Sequence, residues 1–177
     1  AMGVGPITMA VNISPVQFQR PGFLASIEQV LTQSSLAPVL LELEITEGVL
    51  MDSAEQAIQA LEDLSALGVH IALDDFGTGF SSLSYLKRLP INKIKIDRSF
   101  VRDVITDRND AAIIDGIVAM AGKMGLGVLV EGVETLEQFT YLEQCHCHYF
   151  QGYYFARPMP LDALCAFLAS PPVFAAR

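Results

Sequence analysis

Short apolar runs rich in β-branched residues alternate along the chain with longer stretches in which apolar residues recur at helical spacing. This alternation predicts parallel strands joined by crossover helices. The predicted strands are residues 7–14, 39–46, 69–74, 93–97, 127–131 and 148–155. The predicted helices are residues 21–33, 53–67, 81–87, 110–123, 136–143 and 161–168. For the second helix, Ser53 and Gln56 form a capping box and Gly68 is the stop signal.

Six strand–helix units with no linker between them predict a single α/β domain. Two architectures fit this series: an open doubly wound sheet, or part of a closed barrel. A complete barrel of eight units takes about 250 residues. The chain has 177 residues, enough for about six units at that repeat length. We expect the domain at residues 4–170, between a cloning remnant at residues 1–3 and a frayed tail at residues 171–177.

Composition and charge narrow the classes of function. Hydrophobic residues make up 51% of the chain and charged residues 18%, which excludes low-complexity disorder. The apolar runs are far shorter than the roughly 20 residues of a transmembrane helix, so no membrane segment is expected. A net charge of −9 disfavours a DNA or RNA polymer as partner. A small phosphorylated ligand is compatible with that charge when divalent metals neutralise the site.

The three cysteines are too few for a disulfide framework and, with no signal peptide, indicate the cytoplasm. The Cys-His-Cys-His segment at residues 145–148 offers two metal ligands on one face of a strand. Structural zinc requires four ligands and the sequence has no second pair, so we expect no zinc site. At least half of the aromatic residues that follow are expected in the core, and the others can stack on a base. These residues are Phe150, Tyr153, Tyr154 and Phe155.

Almost every predicted strand ends in an acid or an amide. Because the carboxyl ends of barrel strands converge on one rim, we expect these side chains to lie together. Oxygen ligands of this kind suit hard cations such as Mg²⁺ or Mn²⁺. At a single position a helix N-cap is the favoured interpretation, but five strand ends in a row favour a site. The residues are Asn12, Glu44, Glu47, Asp74, Asp75, Asp97 and Glu131.

Asp74 and Asp75 are adjacent, and two like charges at a buried strand end repel each other unless a cation lies between them. Paired metals about 3.5–4 Å apart are the usual arrangement for displacement at a phosphodiester. The glycines of the following loop allow positive φ and close backbone approach at a phosphate or metal rim. A Gly-x-Gly alone is most often a tight turn, but next to two aspartates it is more specific. The loop residues are Gly77, Thr78 and Gly79.

Lys95 alternates with Ile94 and Ile96 along its predicted strand. One interpretation is a solvent-facing lysine on an edge strand. The other is an inward-facing lysine that orients or activates a water among the carboxylates. The spacing alone favours neither.

Six motifs, in order and from about residue 9 to residue 160, together resemble the EAL-domain cyclic di-GMP phosphodiesterases. They are VNIS at 11–14, ELEITE at 42–47, DDFGTGFSSL at 74–83, KIDRSF at 95–100, EGVET at 131–135 and QGYYFARP at 151–158. The resemblance implies a TIM-like barrel of eight strands, the first antiparallel to the rest, in a bacterial signalling protein. It also implies hydrolysis of cyclic di-GMP to linear pGpG with two Mg²⁺ or Mn²⁺ ions.

The resemblance also implies a role for each matched residue. It implies that Asn12, Glu44 and Asp74 bind the first metal, and that Asp74 and Asp75 bind the second. Glu131 then helps to hold the metal site, and Lys95 positions or deprotonates the attacking water. The supporting polar residues of the rim are Asp97 and Gln151. Glu47 anchors the loop at residues 76–82, which the family links to metal binding and dimer-coupled control.

One departure from the family is serious, because no Glu-Ala-Leu occurs in the chain. In the family that segment supplies a metal ligand and is followed by an arginine that contacts substrate phosphate. The chain matches the pattern from the third strand onward, so we expect a truncated barrel that is inactive or weakly active. Upstream sensory or diguanylate cyclase domains are expected in the full-length protein. The alternative is a non-hydrolysing module that binds cyclic di-GMP, although the retained later acids favour the enzyme.

Missing strands leave unpaired edges. The strands that contain Asn12 and Gln151 would expose backbone groups and apolar surface, which proteins normally cover. We therefore expect the chain to form a homodimer, exchange elements or close its barrel imperfectly.

Overall fold

The computed structural model describes residues 5–50, 54–79 and 83–170. Its strands are β1 (Met9–Ile13), β2 (Leu41–Thr46), β3 (His70–Phe76), β4 (Lys93–Ile96), β5 (Gly127–Val130) and β6 (Tyr149–Phe150). Its helices are α1 (Pro15–Phe18), α2 (Phe23–Ser34), α3 (Ala54–Ala66), α4 (Leu83–Leu86), α5 (Arg98–Arg102), α6 (Arg108–Met124), α7 (Leu136–Gln144) and α8 (Leu161–Ala169). Within these ranges no helix combines the length and the apolarity that a bilayer span requires.

All six strands are parallel and follow one another in the sheet in chain order, from β1 to β6. A doubly wound sheet reverses its strand order at a switch point, and this sheet has no reversal. The chain therefore adopts the other predicted architecture, an α/β half-barrel of the TIM type. In the described part of the chain β1 and β6 form the two edges, so the barrel is incomplete, as the sequence predicts.

Apolar and polar residues alternate along the strands, so the sheet has an apolar outer face and a polar inner face. Leu43 and Ile45 of β2 are buried in one core with Leu61 and Leu64 of α3, and the matching positions of β3, β4 and β5 continue that core. Residues of opposite parity, such as Glu44, lie on the face that the helices do not cover. The periodicity that buries the strands against the helices thus also places the charged residues inside the half-barrel.

The prediction of a strand over residues 148–155 is wrong beyond Phe150, where β6 ends. The backbone N–H of Gln151 still donates to Val130 at 2.8 Å, but its carbonyl accepts from Val133 at 3.1 Å, in the loop after β5. A Cβ at Gly152 would lie 2.0 Å from the carbonyl oxygen of Val133. After Phe150 the chain leaves the sheet, and the backbone of Gly152 packs directly against the backbone of Val133.

Two short helices are absent from the sequence prediction. Helix α1 begins with a capping box between Ser14 and Gln17, and α5 begins at Asp97, whose side chain accepts from the N–H of Ser99 at 2.9 Å. The predicted stop after α3 is confirmed, because Gly68 has φ +86°. The predicted cap at Ser53 and the start of the helix at residues 81–87 lie outside the described residues.

Candidate active site

Lys95 lies at the centre of the inner face, with 3% of its surface exposed. Its ammonium is 2.7 Å from Oε2 of Glu44, 2.9 Å from Oδ1 of Asp74 and 2.8 Å from Oε1 of Glu131. These groups come from four consecutive strands or their ends, as the convergence of parallel strands predicts. The inward interpretation of Lys95 is therefore correct.

The charge of Lys95 follows from these partners. Burial alone lowers the pKa of the ammonium, but hydrogen bonds to Glu131, Glu44 and Asp74 outweigh it and raise the pKa above its usual value. Lys95 is therefore a cation at neutral pH. In this geometry it holds three carboxylates and has no capacity to accept a proton.

Adjacent residues of a regular strand point to opposite faces, yet Asp74 and Asp75 serve the same rim. The pairing of β3 with β4 shifts register between Leu73 and Phe76, and Asp75 has φ +52°. The N–H of Asp75 donates to Oδ1 of Asp74 at 3.0 Å. The bulge and the left-handed backbone together return the second carboxylate to the site.

Oxygen atoms of Asp74, Asp75 and Glu131 lie within 4.8 Å of one another. Burial raises the pKa of the Asp75 carboxyl, and the charges of Asp74 and Asp97 raise it further. Burial also raises the pKa of Glu131, with the charges of Asp74 and Glu44 adding to the effect against Lys95. Both carboxyls are thus partly desolvated, and the neighbouring acids add to the shift in their pKa.

The donor set fits a hard divalent cation. Four carboxylates, those of Glu44, Asp74, Asp75 and Glu131, surround one ammonium, which leaves three negative charges close together. Carboxylate oxygens at this spacing are the ligands that Mg²⁺ and Mn²⁺ prefer. The three closest donors are Asp74, Asp75 and Glu131, all of which the sequence predicts.

Asn12 and Glu44 contact each other beside Lys95. The amide nitrogen of Asn12, oriented toward the acids, donates to Oε2 of Glu44 and Oδ2 of Asp74, each at 3.3 Å. The carboxylate of Glu44 lies outside the closest oxygen group and pairs with Lys95. Both residues thus lie beside the carboxylate group.

Glu47 contacts the loop after β3. Its Oε1 accepts from the N–H of Gly77 at 3.3 Å, and a Cβ on Gly79 would lie 2.5 Å from its Oε2. The hydroxyl of Thr78 donates to the carbonyl of Asp75 at 2.8 Å. These contacts join the loop to the second aspartate, in the way that the resemblance implies for residues 76–79. Residues 80–82 lie outside the described part of the chain.

A cavity of about 510 Å³ adjoins the acids and is lined by Glu131 and Gln151. Its volume lies in the range of small-ligand sites. Sequence reasoning missed the charged residues of its wall, which are Arg98, Glu134 and Arg157. The guanidinium carbon of Arg157 lies 4.2 Å from the centre of the Tyr153 ring. The sequence did offer a signal for this wall. Arg98 and Arg157 are two of few basic residues in an acidic chain, and each lies in a motif beside a strand end.

Residues 2–158 match the family model of the EAL domain. The chain belongs to the EAL domain family. This EAL domain is 44% identical over 173 residues to the cyclic di-GMP phosphodiesterase NbdA of Pseudomonas aeruginosa, covering 94% of this chain and 22% of NbdA. The domain thus spans about a quarter or less of the length of the curated relatives that it matches.

Two solved structures extend the comparison. The PaMucR phosphodiesterase in a c-di-GMP complex has a TM-score of 0.86 and 45% identity, covering 89% of this EAL domain and 64% of that chain. The manganese and cyclic di-GMP complex of Klebsiella pneumoniae BlrP1 has a TM-score of 0.80 and 34% identity, with coverages of 87% and 40%. The fold of the EAL domain is therefore the one that its relatives share.

Other predicted residues have structural roles in this EAL domain. Asp97 caps α5, and although burial opposes ionisation, hydrogen bonds from Ser99 lower its pKa. Cys147 is buried in the core, and Tyr153 is exposed. Aromatic packing around Phe139 accounts for the other three aromatic residues, which confirms that at least half lie in the core. These are Phe150, Tyr154 and Phe155.

Proposed function

We propose that this EAL domain hydrolyses one phosphodiester bond of cyclic di-GMP to give linear pGpG, with two Mg²⁺ or Mn²⁺ ions. The observation that carries the proposal is the group of carboxylates held around Lys95 at one rim of an EAL-type half-barrel. The relatives described as cyclic di-GMP phosphodiesterases support the substrate. Because no Glu-Ala-Leu is present, we expect the chain alone to be inactive or weakly active.

In this proposal Asn12, Glu44 and Asp74 bind the first metal ion. Asp74 and Asp75 bind the second, and Glu131, with an oxygen within 4.8 Å of theirs, helps to hold the site. The bound cations supply a water activated for attack and neutralise charge on the phosphate. Lys95, a buried cation, keeps three carboxylates in place with its three N–H donors. It positions the water when one of these carboxylates turns to a metal ion and frees a donor. Its raised pKa favours this role over that of a general base.

The cavity beside Glu131 provides room for the rest of the substrate. Arg98 and Arg157 bring positive charge to a wall whose other charged residues are Glu131 and Glu134. Arginine donors complement phosphate oxygens and the acceptor edge of guanine. The wall therefore suits a guanine nucleotide better than a neutral ligand.

The deciding experiment measures pGpG formation from cyclic di-GMP in Mn²⁺ by chromatography. The chain is compared with a longer protein from the same gene that includes a Glu-Ala-Leu segment, if one precedes it. We expect turnover from the longer protein and its loss in Asp74→Asn, with Glu55→Gln as an exposed control on α3. Binding of cyclic di-GMP without pGpG from the longer protein would support the regulatory module and overturn the enzyme.

Partners and compartment belong to the same proposal. The domain is proposed to act in the bacterial cytoplasm, in a longer protein with sensory or diguanylate cyclase domains, and as a homodimer. The multidomain length of the relatives supports the first part. The two open sheet edges in the described residues support a homodimer of this chain by itself.

A further inference from the structure

A second ion pair crosses the inner face of the sheet below the candidate site. The ammonium of Lys93 lies 2.8 Å from Oε1 and 2.7 Å from Oε2 of Glu42, and we call this the lower pair. The upper pair is Lys95 with Glu44, 2.7 Å apart. Each lower residue precedes its upper counterpart by two positions, and alternate residues of a strand share a face. The two pairs are therefore parallel, one strand repeat apart.

Both pairs cross β3, because β2 and β4 are not neighbours in the sheet. Ala72 of β3 lies opposite Glu44 on one side and opposite Lys93 on the other, and it is fully buried. Since neighbouring strands are about 4.8 Å apart, the backbones of β2 and β4 that each pair joins are about 10 Å apart. Because the side chain at position 72 is only a methyl group, side chains from β2 and β4 can meet across β3.

The lower pair extends to the edge of the sheet. The ammonium of Lys93 lies 5.4 Å from the centre of the Tyr149 ring on β6. Gly127 of β5 lies between them, and a Cβ there would be 3.7 Å from Cγ of Lys93 and 3.6 Å from Cε2 of Tyr149. Contacts of the lower pair thus connect β2 with β6 across two residues that carry at most a methyl group.

We propose that Glu42 and Lys93 are positioning residues, whose ion pair holds β2 and β4 in the relative position that brings the upper pair into the site. Neither belongs to the closest oxygen group, so they act through their neighbours. A buried ion pair is often no more stabilising than packed apolar residues of similar size, and positioning is the use that this geometry supports. The inference rests on the proposed function, because it takes the site to bind a divalent cation.

Single substitutions test the lower pair by removing one charge each. We expect Glu42→Gln and Lys93→Met to weaken Mn²⁺ binding about 10-fold, as removal of groups that orient metal ligands does. Binding is followed by electron paramagnetic resonance and folding by circular dichroism. Glu55→Gln and Arg88→Met remove the same charges from an exposed ion pair and leave the affinity unchanged. Unchanged affinity in folded lower-pair variants overturns the proposal.

The double variant Glu42→Lys/Lys93→Glu, which exchanges the two charges of the lower pair, tests the proposal if the single variants fail to fold. Recovered Mn²⁺ affinity supports positioning, whereas weak affinity or failure to fold counts against it. A wild-type chain that binds no Mn²⁺ would instead contradict the metal site proposed for this chain. In that case the ¹³C signal of the Glu44 carboxylate in metal-free protein is the readout. We expect it to move in Glu42→Gln and not in Glu55→Gln, and an unmoved signal overturns the inference.

Discussion

At the scale of single residues, Lys95 is a charge that the site cannot lose without compensation. It is buried and paired with three carboxylates. Removing one partner from a buried ion pair costs about 3–5 kcal/mol, because the remaining charges lose their counterion. A divalent cation is the other positive charge that such a group of oxygens accepts. In the proposed function Lys95 and a bound metal ion would both hold the carboxylates together.

We expect Lys95→Met to lower the free energy of unfolding by about 3–5 kcal/mol in EDTA. Mn²⁺ should stabilise the variant more than it stabilises the wild type, because its carboxylates lack their internal cation. Urea denaturation with EDTA or Mn²⁺ measures both effects. Arg88→Met, in an exposed pair, is the control and should change stability by less than about 1 kcal/mol. Equal stability of Lys95→Met and wild type in EDTA would contradict this account.

Gly152 is a second residue whose identity the packing dictates. A Cβ there would lie 2.0 Å from the carbonyl oxygen and 2.4 Å from the nitrogen of Val133, and backbone atoms cannot move aside independently. We expect Gly152→Ala to destabilise the fold by about 3 kcal/mol, the upper end of the usual cost of overpacking. Gly116, inside α6, has open space around it, so Gly116→Ala should stabilise the protein by about 0.5–1 kcal/mol. Thermal unfolding measures the stability of both variants. A mild effect of Gly152→Ala would show that the loop moves.

The members of the site could be predicted because each one stands at a strand end. Asn12, Glu44 and Glu131 need only the strand period and a parallel sheet to reach one rim. The geometry of Asp75 could not be predicted, because it depends on a bulge and a left-handed residue that no periodicity records. Arg157 was missed because its place in the cavity depends on the turn at Gly152.

At the scale of elements, length decides what a sequence pattern can predict. Helices α3 and α6 have 13 and 17 residues, long enough for an apolar face to recur. Helices α1 and α5 have 4 and 5 residues, and each depends on a cap at Ser14 or Asp97. Single turns have no periodicity to detect, so a strand-end acid that caps a helix is indistinguishable in sequence from one that binds a metal.

The connection between α7 and β6 gives a pH-dependent prediction. Burial raises the pKa of the Cys147 thiol to about 12, and the neighbouring Cys145 and Asp115 add to the effect. Above the ordinary value of 9.0 the unfolded thiol ionises while the folded one stays neutral. Unfolding then releases a proton, so this contribution to stability falls as pH rises from 9 toward 12.

We therefore expect the stability difference between wild type and Cys147→Ala to shrink between pH 8 and pH 10.5, in the lower part of that window. Urea denaturation across this range measures the difference, and the comparison cancels titrations that the two proteins share. The Cys165→Ala variant, at a half-buried position of α8, is the control. A difference independent of pH would show that Cys147 ionises equally in both states.

At the scale of the whole molecule, strand order is the property that the sequence left open. The same series of units fits a doubly wound sheet and a barrel, because both bury apolar strands under helices. What separates them is which face of the sheet each crossover covers. Here the charged inner positions of β2, β3 and β4, and Glu131 just after β5, need one face without helices, and consecutive strand order provides it.

The open edges lead to a prediction about assembly. On β1, Met9 is 60% exposed and Val11 39%, beside backbone groups that no described strand pairs. Such an edge favours pairing with another chain. We expect the protein to dimerise through this strand, and Val11→Lys to weaken the dimer at least about 10-fold by placing a charge on the edge. Val39→Lys alters a more exposed valine, at 52%, in the short 3-10 helix before β2 and should leave the dimer intact.

Salt provides an independent test of the same dimer. Each copy carries a net charge of −9, so two copies repel each other at low ionic strength. Screening shortens this repulsion to about 10 Å at 0.1 M salt. Sedimentation equilibrium should therefore give tighter association as salt rises, with Val11→Lys remaining weaker than wild type throughout. A wild-type monomer at every concentration and salt, or a Val39→Lys effect as large as that of Val11→Lys, would show that the β1 edge does not mediate assembly.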